Sequence, residues 1–305
     1  MKRDFLDVTD FTEEEIRRIF DLARDLKAKQ KRREPHPLLE GKTLAMLFQK
    51  PSTRTRMSFE TGMFQLGGHA IYVSPDETGL GKREAVSDVA RVLSRYNDAI
   101  MARVFGHGIL LELARFAAVP VINGLSDWSH PCQIFGDMLT VLEHRGGFDG
   151  LKVAWIGDGN NVAHSWIHMA MRIPMELTLA CPVGYDPNAK LLKQAQADGK
   201  SRIRVVRKPA EAASNADVIY TDVWASMGQE KEAAKRKKAF KGFQVNEALV
   251  AKAKPDVLVM HCLPAHRGEE ISEGALEGPR SIVFDEAENR LHVQKAILVF
   301  LMKNG

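Results

Sequence analysis

Ser52-Thr53-Arg54-Thr55-Arg56 places three hydroxyls and two guanidiniums within five residues. A guanidinium is a planar fork of donors that meets phosphate or carboxylate oxygens two at a time, and hydroxyls extend such a cradle. At a strand-to-helix turn the run also gains unpaired backbone N–H groups and the positive end of the helix dipole, which together make a phosphate site. The alternative is a Ser or Thr cap followed by two solvated arginines. Arg103 closes the apolar stretch Ala99-Ile100-Met101-Ala102 and is either a bidentate anion ligand or the partner of a surface carboxylate. His130 and Gln133 lie one helical turn apart. There the imidazole can donate to a carbonyl while the amide pairs with a neutral NH2, or the histidine is a satisfied structural residue.

A second group lies further along the chain. Gly157-Asp158-Gly159-Asn160-Asn161 follows an apolar run and looks like a nucleotide-binding turn, but Val162 stands where the third glycine of the dinucleotide fingerprint belongs. The Asn160 and Asn161 amides could instead hold a carboxylate. Asp222 stands four residues before Ser226-Met227-Gly228 and could receive the ammonium of an amino acid; its rival role is to cap a helix from Gln229 to Ala239. That helix carries Lys231, Lys235, Arg236, Lys237, Lys238 and Lys241, which read as a solvated face among interspersed acids rather than a nucleic-acid patch. His261-Cys262-Leu263-Pro264 comes last, its thiol either a small apolar filler or part of a pocket wall.

The elements that must position these residues follow from periodicity. Thr43–Phe48 reads as a buried strand leading into the first run, and the helix after it, Met57–Leu66, stops at Gly67-Gly68. Thr12 caps the first helix, and Glu15 three residues on completes a capping box. Strands and helices then alternate, from His69–Val73 through Asp98–Arg103 and Val119–Ile122, past a glycine-rich stretch at 146–150, and on through Val153–Ile156, Glu176–Ala180, Ile203–Val206, Val218–Thr221 and Val257–Met260. Alternation implies right-handed crossovers and parallel sheets covered on both faces, so the expected architecture is two doubly wound α/β domains. The expected boundaries are 1–145 and 150–285, with a packed helix over 286–305. Ligands in such sheets lie beyond the carboxyl ends of the strands, where every residue singled out above stands.

Composition narrows the function. The chain has 305 residues, is 45% hydrophobic and carries a net charge of +4, which gives a nucleic-acid or membrane-surface role no support. Cys132, Cys181 and Cys262 are odd in number and widely spaced, which suggests neither disulfides nor a zinc site and fits a reducing cytoplasm. No apolar run approaches the length of about 18 residues that spans a membrane, and the acidic residues near the start are unlike a signal peptide.

Taken together, Ser52-Thr53-Arg54-Thr55-Arg56, Arg103, His130-Pro131-Cys132-Gln133, Asp222 with Ser226-Met227-Gly228, and His261-Cys262-Leu263-Pro264 resemble the aspartate/ornithine transcarbamoylase family, in the branch whose acceptor is ornithine. The resemblance runs essentially the whole chain. It implies a carbamoyl-phosphate domain to which the last helix returns, an ornithine domain, and a homotrimer with sites between subunits. Ser52, Thr53, Arg54 and Thr55 would then cradle the phosphate. Arg103, His130 and Gln133 would hold the carbamoyl group, and Arg290 would close the site. Asn161, Asp222, Ser226, Met227, Cys262 and Leu263 would take ornithine. At Gly79 the chain departs from the family, which places a glutamine or histidine there to reach a neighbour's site; Lys82 or Arg83 is the expected substitute.

The reaction so implied is attack of the ornithine δ-amine on carbamoyl phosphate, with no metal or organic cofactor. Arg54, Arg103, His130 and Cys262 are the expected catalytic residues. An alkylammonium costs about 4 kcal/mol to deprotonate near neutral pH, and Asp222 and Cys262 are placed to manage that proton. Other acceptors, N-acetylornithine or putrescine, stay open, and so does a dinucleotide-dependent oxidoreductase, which the missing glycine disfavours.

Overall fold

The computed structural model describes residues 2–81, 83–226, 228 and 230–303. The chain forms two compact units, Met1–Gly136 with Glu288–Gly305, and Asp137–Ala287. Element order in the first is α1 (Glu13–Lys31), β1 (Thr43–Phe48), α2 (Thr53–Gln65), β2 (His69–Val73), α3 (Pro75–Thr78), α4 (Val86–Tyr96), β3 (Ala99–Arg103), α5 (His107–Phe116) and β4 (Val121–Leu125). Then α6 (Pro131–Arg145) leads on to β5 (Lys152–Ile156), α7 (Asn161–Ala170), β6 (Glu176–Ala180), α8 (Ala189–Asp198), β7 (Arg202–Val206), α9 (Pro209–Ala213) and β8 (Val218–Thr221). The remainder is α10 (Ala233–Ala239), α11 (Glu247–Val250), β9 (Leu258–His261), α12 (Glu273–Leu276) and α13 (Val283–Lys303).

Both sheets are wholly parallel, in the orders β2-β1-β3-β4 and β7-β6-β5-β8-β9. The apolar runs of β1 and β3 are buried over almost their whole length because helices cover both faces. In the first sheet Phe48 lies opposite Arg103, so the residues leaving β1 emerge beside that arginine. In the second, Ile156 pairs with Thr221 and Thr221 with His261, which brings the ends of β5, β8 and β9 level. Register alone therefore gathers Asp158–Asn161, Asp222 and Cys262 along one sheet edge.

Each unit has its own core. In the first, Phe5, Phe11, Phe20, Phe135 and Phe300 form a chain of stacked and edge-on rings, which fastens α13 to the N-terminal segment. In the second, Tyr220 stacks on Trp155 and meets Trp166 edge-on, all three fully buried. The expected capping box of α1 is present, Thr12 accepting from the Glu15 N–H and Glu15 from the Thr12 N–H. Among the described residues no helix is long and apolar enough to cross a membrane.

Several boundaries differ from the reading of periodicity. Helix α2 begins at Thr53, because Ser52 is its N-cap and the polar run Thr53–Arg56 is its first turn. Arg54 and Arg56 are two residues apart on that helix and so point to opposite sides. Arg56 is spent on Glu60 and on the face of Tyr72, 4.1 Å away, and does not add to the cradle. Asp222 does not cap a helix; Glu232 stands at the N-cap of α10, and Gln229 lies outside the described residues.

Gly79 closes α3 in the left-handed conformation with φ 48°, and a Cβ there would press on Arg83 Cβ at 3.0 Å. A larger residue is strained at this position whatever its chemistry. Arg83 donates to the Glu77 carbonyl of the same loop, and Lys82 lies outside the described residues.

Candidate active site

Thr55 is the centre of a polar cluster in the first unit. Its hydroxyl oxygen receives Ser52 Oγ at 3.1 Å, Arg290 Nη2 at 3.0 Å and Arg103 Nη1 at 3.4 Å, while its N–H donates to the capping Ser52 Oγ. Thr55, Arg103 and Arg290 are all buried. Arg103 is carried there by the end of β3, and Arg290 by the second turn of α13. That helix can come close because Gly136 faces it, where a Cβ would lie 3.1 Å from Arg290 Cγ.

His130 ends the loop before α6, and Gln133 N–H donates to its carbonyl at 3.0 Å. Both side chains are buried. Burial, then the charges of Arg290, Arg103, Lys50 and Arg54 in that order, push the His130 imidazole well below its usual range. The ring is therefore neutral at physiological pH and can act on a ligand as a dipole while adding no fifth charge. Arg54, the sequence-predicted phosphate ligand, is thereby placed within electrostatic reach of the cluster. Thr53 is exposed on the first turn of α2 and lines a concavity with Ser52, Arg56 and Phe64.

Lys50 went unnoticed in the sequence. Burial, followed by repulsion from Arg103, lowers its ammonium to about 8. Its position two residues before Ser52, at the exit of β1, was the available signal. Cations packed this closely repel one another, and an anion is what relieves that repulsion.

In the second unit a polar cluster forms at the level ends of β5, β8 and β9. Asp222 Oδ2 accepts from Asn160 Nδ2 at 2.7 Å, and its Oδ1 accepts from Cys262 Sγ at 3.0 Å and from the Val223 N–H. Asn160, not Asn161, thus orients the carboxylate, its own Oδ1 capping α7 through the Val162 and Ala163 N–H groups. Asn161, the first residue of α7, and Ser226, on the loop after β8, stand half-buried, and Met227 lies outside the described residues. Burial and the neighbouring Asp222 raise the Cys262 thiol well above its usual range, so it is protonated and donating.

Leu263 adopts φ 55°, a left-handed conformation that costs a side chain roughly 1–3 kcal/mol. It is held by its N–H donating to His261 Nδ1 at 2.8 Å. Since Nδ1 accepts, Nε2 carries the proton and donates to the buried Glu270 at 3.1 Å. The ligand atoms of Asp222, His261 and Cys262 come within 4.8 Å of one another. Here, however, both imidazole nitrogens are engaged and the thiol serves Asp222, which makes the trio a hydrogen-bonded frame for the loop. Nothing in the sequence marked His261 as a loop anchor. Gly159 has no nucleotide role to explain: a Cβ on it would strike the Pro187 nitrogen at 2.2 Å, so the glycine permits the loop after β6 to pack.

Two parallel α/β units, one with a cationic cradle at its strand ends and the other with an oriented carboxylate and thiol, define a group-transfer enzyme that takes an anionic donor. Residues 3–143 match the model of the aspartate/ornithine carbamoyltransferase carbamoyl-P binding domain, and residues 149–301 that of the Asp/Orn binding domain. The chain belongs to the aspartate/ornithine carbamoyltransferase family.

It is 54% identical to the ornithine carbamoyltransferase of Geobacter sulfurreducens, over 99% of this chain and 100% of that one. The solved ornithine carbamoyltransferase of Pyrococcus furiosus superposes with a TM-score of 0.96 at 52% identity, covering 100% of this chain and 98% of that one. The anabolic enzyme of Campylobacter jejuni gives 0.94 at 40%, covering 99% and 100%.

Proposed function

We propose that the chain transfers the carbamoyl group of carbamoyl phosphate to the δ-amine of L-ornithine, giving L-citrulline and phosphate. The observation that carries this is the clustering of Arg54, Arg103, Arg290 and Lys50 about a neutral His130. A dianion with a carbonyl and a neutral NH2 matches that set: guanidiniums for the phosphate, Thr55 and His130 for the carbonyl oxygen, Gln133 for the amide.

As the amine nitrogen bonds to the carbonyl carbon, negative charge grows on the oxygen, and donors already in place stabilise it without reorganising. The C–O bond to phosphate then breaks, and the departing phosphate takes up the proton that the amine loses. Asp222 recognises the α-ammonium of the acceptor, and Cys262, held protonated, shapes the approach of the reacting amine.

Ornithine is favoured over N-acetylornithine, whose neutral amide offers Asp222 no charge, and over aspartate, whose second carboxylate it would repel. The relatives described as anabolic support the biosynthetic direction, towards arginine. Self-association into a homotrimer is supported by the exposed apolar side chains of Met57 and Phe64 on α2 and Ile71 on the edge strand β2. The free cysteines support a cytoplasmic location.

The test is purified protein with carbamoyl phosphate and, in turn, ornithine, N-acetylornithine, putrescine and aspartate, measuring the carbamoylated product. Ornithine should be preferred; product from another amine in its place overturns the assignment.

A further inference from the structure

Among the cations of the 231–241 run, Arg236 alone is buried; Lys231, Lys235, Lys237, Lys238 and Lys241 are exposed. Its Nη1 donates to Asp158 Oδ2 at 2.6 Å and to the Trp224 carbonyl at 2.9 Å, and its Nε to Glu232 Oε2 at 3.1 Å. The guanidinium also lies 5.0 Å from the centre of the Tyr185 ring. These partners belong to different loops. Asp158 lies between β5 and Asn160, the residue that orients Asp222. Trp224 lies midway between Asp222 and Ser226 on the segment that leaves β8. One side chain on α10 thus ties the loop that steers the acceptor carboxylate to the loop that carries it.

The tie is costly to remove. Burial raises the Asp158 carboxyl, and the Arg236 charge opposes that rise. Without the guanidinium, a buried carboxylate and a buried carbonyl both lose their donor. Residues 222–226 contain no helix or strand, so their placement depends on such side-chain ties.

We propose that Arg236 is a positioning residue for acceptor binding: through Asp158 and the Trp224 carbonyl it fixes the Asp222–Ser226 segment, without itself touching either substrate. This rests on the assignment of that segment to the amino-acid acceptor. Lysine is a poor replacement, because a single ammonium can neutralise Asp158 but cannot also serve Trp224 and Glu232 in the plane that stacks on Tyr185.

The experiment compares full-length wild type with Arg236→Lys, Arg236→Met and Asp158→Asn. For each, KM of both substrates, kcat, the Kd of carbamoyl phosphate alone and the melting temperature are measured. We expect KM for ornithine to rise about tenfold or more in Arg236→Met, the cost of one charge-assisted hydrogen bond, with Arg236→Lys and Asp158→Asn between it and wild type. The Kd of carbamoyl phosphate should stay within about twofold, because the partners of Arg236 are Asp158, Trp224 and Glu232, none of them assigned to the cradle.

Unchanged KM for the acceptor in the variants that fold, or parallel loss of both affinities in step with melting temperature, overturns the proposal. Should wild type carbamoylate a different amine, the ornithine reading fails, and the KM of that amine in the same variants still decides the role of Arg236.

Discussion

Arg290 donates to the hydroxyl of Thr55 at 3.0 Å across 235 positions of sequence. The same oxygen also receives Arg103, so two guanidiniums are aimed by one small side chain. Replacing Thr55 by valine keeps the shape and removes the acceptor. We expect kcat/KM to fall about a hundredfold, the usual consequence of losing one preorganised donor at a developing charge, and the melting temperature to fall by a few degrees, because two buried guanidiniums lose an acceptor. Steady-state kinetics beside a thermal melt check this; an active Thr55→Val would show that the hydroxyl does not organise the site.

Arg54→Ala and Arg103→Ala should abolish measurable turnover without unfolding the chain. Phosphate provides a second readout, since a ligand at about 100 times its Kd stabilises the native state by about 2.7 kcal/mol. Wild type should melt at higher temperature in phosphate than in chloride of equal ionic strength, and both variants should lose most of that difference. An equal phosphate shift in all three proteins would place the anion elsewhere.

Cys262 should react slowly for a cysteine. Burial and Asp222 raise its thiol, so little thiolate exists at pH 8. Asp222→Asn removes the charge and should accelerate alkylation by iodoacetamide several-fold at that pH, followed by mass spectrometry of the modified peptide. Cys262→Ala should lower kcat clearly but less than loss of Arg54 does. A pH–rate profile unaltered by that substitution removes the thiol from the proton path.

A buried carboxyl ties the Cys262 loop to the rest of its unit. Glu286 accepts from Tyr220 Oη at 3.1 Å and from the His261 N–H at 3.0 Å, and burial, then the adjacent Asp137, push its carboxyl well above the carboxylate range. The native state thus keeps a proton that the unfolded chain releases above about pH 4.3. Stability from this group is full below that value and declines as pH rises through the native value. Glu286→Gln supplies an amide that cannot titrate, whose oxygen can stand in place of Oε2 before the His261 N–H and whose NH2, in place of Oε1, can donate to the Tyr220 hydroxyl oxygen. It should melt a few degrees above wild type at pH 8 and less so at pH 5. Identical pH slopes for the two proteins between pH 5 and 9 would show that no such proton is held.

The sequence was most legible where burial is two-sided. Strands β1, β6 and β8 occupy the residues that their apolar runs define, because a covered parallel strand admits little else. The one-turn helices α3 and α12 escaped notice, being too short to show a period. Of the site, the hydroxyl–arginine run was visible because its chemistry is concentrated in five residues.

Groups that act by depth alone were not visible. Arg236 looks in the sequence like the five lysines around it, and only packing against Tyr185 and Asp158 separates it from them. Lys50 likewise has ordinary neighbours in sequence; Asn160 and His261 stand in runs that the sequence singles out, but their roles as orienter and loop anchor arise from strand register. The dinucleotide alternative loses its remaining support because Gly159 is required by Pro187.

The bond from Arg290 to Thr55 also orders events during synthesis. Serine, threonine and both other arginines of the donor site are translated early, yet their last partner follows 235 codons after Thr55. A growing polypeptide thus carries all four strands of its first sheet well before Arg290 exists. By the same token, a product stopped before position 290 carries the other residues of the donor site and lacks the guanidinium that joins them.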